Sequence, residues 1–230
     1  MTVAHEASAP TQTAPASTTV DAPLVRFGRE ICGDLAAALR REWLVTNGLG
    51  GYASGTLVGI NTRRYHGLLV AALKPPVERT MLVGGLVEWA SYEGRRYALS
   101  THEYSNGYID QQGYRHLQSF VLEGMLPVWT FALGGALLEK RLWMAYGENT
   151  TYITYCVLRA TRPVDLDINP LITYRDFHAL TSGQGWWPNV QAEPRGAMVH
   201  AFEGARPFWL LTDSGRFTPS GVWYWDFHHR

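Results

Sequence analysis

The chain has almost no cysteine, no net charge, little helical periodicity and no apolar run approaching the ~18 residues of a membrane span. Cys32 and Cys156 are its two thiols, too few and too far apart for a disulfide framework. They indicate a reducing compartment and two buried, inert side chains, with a single bridge left open. Twenty Lys and Arg balance twenty Asp and Glu, which excludes the basic excess of an electrostatic nucleic-acid binder. The N-terminal "MTVAHEASAPTQTAPASTTVDAP" lacks the apolar core of a signal peptide and is expected to be a disordered lead-in over residues 1–23. These absences point to a cytoplasmic protein with neither nucleic acid nor membrane as partner.

Apolar and aromatic residues are abundant. Hydrophobic residues make up 46% of the chain and charged ones 17%, enough for a substantial core in one large domain. Nine tryptophans and twelve tyrosines exceed the needs of that core. Flat aromatic faces left at a surface suit a sugar ring or a partner domain. Only "ICGDLAAALRREW" reads as a short helix, with Asp34 as N-cap and Leu35, Leu39 and Trp43 at helical spacing.

Beyond it, strand follows strand. "GTLVGI", "HGLLVAAL", "RTMLVGGLVEWA", "RRYALS", "QSFVLEG", "LPVWTFALG", "ALLEKRLWMAY" and "TTYITYCVLRA" are separated by turn signals such as Pro75-Pro76, Gly134-Gly135 and Gly147-Glu148-Asn149. Thr151 to Leu158 places aromatics on both faces and is expected to be covered on both sides. In "VDLDINPLITYRDF", Val164, Leu166 and Ile168 are expected to point inward. "ARPFWLLTD" and "GVWYWDFHH" complete the series, the last a strand-like ending that suggests a truncated chain. The fold class is therefore all-β: a large antiparallel β-sandwich (supersandwich) over residues 24–230 with at most one short helix, a closed barrel being the alternative.

The glycine loop "NGLGGYASG" is followed by a strand pattern and carries no Lys-Ser/Thr pair, so it is not a phosphate loop. Eight scattered histidines give no metal site, and no cofactor is expected. Glu42, Glu88, Glu103, Glu123, Glu139, Asp176 and Asp226 could supply a carboxylate pair, but no spacing selects one, and no catalytic residue is assigned. Arg63, Arg64, Tyr65 and His66, after Asn61 and Thr62, either bind hydroxyls or carboxylates or form a solvated turn. "TSGQGWWPNV" reads as a loop, marked by Gly183, Gly185 and Pro188, that holds up Trp186 and Trp187, more suited to packing on a partner than to open solvent.

The stretch "REWLVTNGLGGYASGTLVGINTRRYHGLLVAALKPPVERTMLV" resembles the N-terminal domain of bacterial and archaeal glycogen-debranching enzymes of the amylo-α-1,6-glucosidase type. The pattern runs from Glu42 to Leu69, and "VWYWDFHHR" resembles the family's stretch before the catalytic domain. The resemblance implies a supersandwich followed, in the parent protein, by an (α/α)6 barrel that hydrolyses α-1,6 branch linkages. This chain alone would be inactive. Its implied partners are that barrel and glycogen or a branched maltooligosaccharide. Asn47, Gly50, Gly51 and Tyr52 of the glycine loop, together with Arg63, Arg64, Tyr65 and His66, would face the barrel or the glucan. A free-standing glucan-binding module is the competing expectation.

Overall fold

Inward and outward side chains alternate along most of the chain, and that alternation builds its strands. A computed structural model describes residues 25–181, 185–219, 221–222, 224 and 226–229. The expected lead-in at 1–23 lies outside these residues, as do Gly183, Trp223 and Trp225. The described part opens with β1 (Val25–Phe27), α1 (Arg29–Cys32), α2 (Leu35–Leu39), β2 (Glu42–Thr46), β3 (Tyr52–Thr56) and β4 (Gly67–Lys74). It continues through β5 (Val77–Tyr92), β6 (Arg95–Ala98), β7 (His102–Glu103), β8 (Ile109–Asp110), β9 (Leu117–Glu123) and β10 (Leu126–Leu133). The last elements are β11 (Ala136–Met144), β12 (Thr151–Arg159), β13 (Asp165–Asp176), β14 (Asn189–Glu193), β15 (Gly196–His200) and β16 (Phe208–Leu211).

Two antiparallel sheets form the sandwich. One has the order β1-β9-β10-β11-β12; the other runs β13-β5-β4-β3-β2, with β6 also paired to β5. Their facing sides share one core, in which Trp129 of β10 meets Trp43 of β2 edge-on at 5.4 Å and Phe120 of β9 at 5.4 Å. The Trp129 indole donates to the Leu57 carbonyl at 2.9 Å, so its polar edge is satisfied in the interior. Burying such side chains contributes about 1.5–3 kcal/mol each. A third sheet, β14-β15-β16, covers the outer face of the second through Val199, Phe208, Ala71, Leu82 and Val83. The central stretches of β4 (Leu68–Leu73) and β5 (Met81–Val83) therefore pack on both faces, and there the sequence is continuously apolar.

Several local expectations change. The helical stretch is two short helices, broken at Gly33 and Asp34; Asp34 caps the second by accepting from Ala37 N at 3.0 Å. Trp43 belongs to β2, where strict alternation of buried and exposed residues outweighs the helical spacing. The strand expected at "GTLVGI" lies earlier, at Tyr52–Thr56, because Thr56 Oγ1 donates to Ile60 O at 2.8 Å and folds Leu57 and Val58 into a turn. The strand β12 is an edge: Ile153 and Tyr155 pack inward, but Tyr152, Val157 and Leu158 are exposed, so it is not covered on both sides. Cys156 is likewise exposed, while Cys32 is buried and both are free thiols. Burial pushes the Cys32 thiol up to about 11. Leu166 is exposed rather than inward. The described part of "GVWYWDFHH" is no strand but a hook, fixed by an isolated Tyr104–Phe227 bridge and by His228 N donating to Glu103 O at 2.8 Å.

Candidate functional site

Asn47 follows β2 and is fully buried. Its Oδ1 accepts from the backbone of Leu49 at 2.9 Å and Gly51 at 3.0 Å, and its amide donates to Glu148 O at 2.9 Å and Asn149 Oδ1 at 3.0 Å. Asn149 in turn imitates a strand neighbour of Ala72, accepting from its N–H at 3.1 Å and donating to its carbonyl at 2.8 Å. The glycine turn is thereby tied both to β4 and to the turn that precedes β12. Gly50 has a φ of 94°, a left-handed conformation, and its carbonyl accepts from Arg79 Nε at 2.7 Å. At Gly51 a Cβ would stand 2.9 Å from Asn149 Oδ1. Asn47, Gly50 and Gly51 thus approach the domain's own turns.

Tyr52 links this turn to the polar cluster. Its hydroxyl donates to Tyr65 O at 2.9 Å, and burial raises the phenol's pKa against the pull of Arg79 and Arg175. Residues 61–66 form a turn closed by His66 N donating to Arg63 O at 3.0 Å. Arg63, with 61% of its side chain exposed, pairs with Glu42 at 2.9 Å. Arg64 donates to His178 O at 2.9 Å, and Tyr65 OH lies 3.3 Å from His178 Nδ1. From beneath, Arg175 donates to Arg64 O at 2.6 Å and to Ala179 O at 2.7 Å, a fork that only a guanidinium provides. His66 is 3% exposed, with Nε2 3.4 Å from Glu42 Oε1. Burial lowers its pKa, and the Glu42 charge opposes that shift.

The four clustered residues therefore divide into three at the surface and one buried. Sequence reasoning missed their supports, Arg175, Phe177 and His178, which lie more than a hundred positions away. The run "RDFH" (175–178) was visible, but nothing local linked it to residues 63–66. Trp186 and Trp187 also part company. Trp186 turns back to donate to Ala201 O at 3.0 Å, whereas Trp187 is 70% exposed.

His66, Arg175 and Trp187 line one groove of about 1360 Å³ on the second sheet, beside β7, β13 and the C-terminal hook. His102, Asn169 and His229 line it too. A separate space between the two main sheets, at Trp43, Glu88 and Lys140, is only about 50 Å³ and cannot take a sugar ring. Among the described residues no group of three His, Cys, Asp or Glu is placed to hold a metal ion, and no helix is long and apolar enough to cross a membrane.

A multilayered antiparallel β-sandwich with a half-polar groove on one sheet is the class this architecture defines. The chain belongs to the family described as glycogen debranching enzyme N terminal, which matches residues 41–230. No curated protein and no solved structure matches it.

Proposed function

We propose that this chain is the non-catalytic N-terminal domain of a glycogen debranching enzyme, packing on a catalytic (α/α)6 barrel and shaping the cleft in which α-1,6 branches are hydrolysed. The observation that carries this reading is the Arg63–Arg64–Tyr65 turn. It lies inside the family-matched stretch, exposes its three side chains at the surface, and is tied to Glu42 and Arg175. Immobilised, exposed Arg and Tyr are the residue types enriched where one protein surface meets another. A non-catalytic role is supported by the carboxylates: Glu42, Glu88, Glu123 and Glu139 are each engaged by Arg or Lys.

Mixing this chain with the family's catalytic barrel, expressed separately, tests the reading. The expected result is a one-to-one complex in sedimentation and faster hydrolysis of an α-1,6-branched maltooligosaccharide. Arg63→Ala with Arg64→Ala should weaken both. A barrel whose sedimentation and kinetics ignore the added chain would contradict the proposal.

A further inference from the structure

In the three larger sheets, every edge strand but one carries a feature that discourages further pairing. β1, β2, β14 and β16 are only three to five residues long. β13 bears Asp165, Asp167 and Pro170 and has two breaks in register. β12 has none of these. Thr151 to Leu158 contains no charge, proline or glycine, and its register with β11 is unbroken from Thr151 to Val157.

The free side of β12 is a row of backbone groups. Ala145 N bonds to Thr150 O at 3.1 Å, and bonded and unbonded pairs alternate along an antiparallel ladder. Carried along the register to Val157, that alternation turns the N–H and C=O of Thr151, Ile153, Tyr155 and Val157 away from β11. No backbone hydrogen bond beyond the β11 ladder joins Thr151–Arg159 to the described residues. Side chains report the same opening. Val157 is paired with Leu138 and points to the core side with it, yet Val157 is 46% exposed and Leu138 is 1%. The core is open along this edge, where one more strand would close it.

This edge is complementary to itself. About a two-fold axis at Thr154, Thr151 faces Val157, Tyr152 faces Cys156 and Ile153 faces Tyr155 of the second copy. The outward backbone groups then meet one another, and Val157 is covered. The same register carries the exposed Arg159 toward the exposed Glu148 in the other copy's turn, an opposite-charge contact made twice by symmetry. We propose that β12 pairs antiparallel with β12 of a second copy of this chain about that axis, joining the two five-stranded sheets into one continuous sheet. Each copy uses its one unblunted edge, so assembly stops at two. The Arg63–Arg64–Tyr65 turn follows β3 of the other sheet, and the pairing does not rest on barrel docking.

Sedimentation of this chain over a concentration series tests the pairing, and a reversible dimer is expected. Thr154 is exposed, so Thr154→Lys and Thr154→Glu should keep the thermal midpoint. Each sets like charges opposite one another at the axis and should weaken the dimer about tenfold or more. Mixing the two variants should restore it. Thr154→Cys with Cys156→Ser should form a covalent dimer on mild oxidation, because unbonded partners lie about 4.5 Å apart at Cα, within disulfide reach. Wild-type Cys156 should not crosslink, since the two copies of Cys156 stand four residues apart, about 13 Å. Monomers at every concentration would overturn the proposal, as would dimers that ignore both charged variants or a Cys156 crosslink in the wild type. Protection of β12 amides only on adding the catalytic barrel would assign the edge to the barrel and overturn it too.

Discussion

Lys140 Nζ lies 2.7 and 2.8 Å from the two carboxylate oxygens of Glu88, an ion pair that joins the two main sheets inside the sandwich. Along β11 every second residue is buried, and Lys140 occupies one of those inward positions. Tyr155 donates its hydroxyl to the same carboxylate, and burial together with the Glu88 charge raises the pKa of that phenol. A buried charge is tolerable only with such partners.

Lys140→Met strands the Glu88 carboxylate in the core and is expected to cost about 3–5 kcal/mol. Adding Glu88→Gln should recover most of that loss, since a matched apolar or neutral pair removes the desolvation penalty as well. Urea unfolding of the two single variants and the double variant supplies the cycle. Losses that simply add would contradict the pairing.

Asn47→Ala removes four side-chain hydrogen bonds from a buried junction. The expected loss is about 2 kcal/mol, because the backbone donor of Gly51 stays buried without its acceptor. Asn149→Ala should couple to it in a double-mutant cycle. Independent effects would show that the two turns are not one unit.

Acidification should destabilise the domain before its carboxylates titrate. His66, His102, His116 and His229 all have pKa values lowered by burial, below the ordinary value near 6.5. In that window the unfolded chain binds more protons, so the stability these residues contribute is present above about pH 6.5 and is lost as pH falls toward their folded values. Each fully differential proton adds about 1.4 kcal/mol per pH unit. Urea midpoints at pH 7.5 and 5.5 measure it, and His102→Gln should flatten the slope.

Arg175→Lys keeps the charge but cannot span Arg64 O and Ala179 O together. It should cost about 1 kcal/mol and loosen residues 63–66, seen as faster amide exchange there. Unchanged exchange would mean that the turn is held by other contacts.

The sheets were legible where side-chain alternation or continuous burial is strong, as in β4, β5, β10 and β11. Failures arose where one residue answers to a partner far along the chain. The strand β3 contains Gly55, which reads as a loop residue, yet it pairs with Trp43 and leaves room for the indole, 3.3 Å from where a Cβ would be. β12 has the apolar content of a covered strand, but its place at a sheet edge is a property of topology. The polar cluster at 63–66 was visible as a motif. Its support by Arg175 and the joint groove of His66, His102 and His229 depend on tertiary placement, which local pattern does not encode. The glycines after Asn47 marked a close approach correctly but could not name its partner, the Asn149 turn.

The most direct measurement of the central claim is hydrogen exchange on this chain, alone and joined to the catalytic barrel. Domain docking through the Arg63–Tyr65 turn predicts protection concentrated at residues 61–66 and 175–181, with the exposed edge at β12 unchanged. Protection at β12 with no change at residues 61–66 would contradict it.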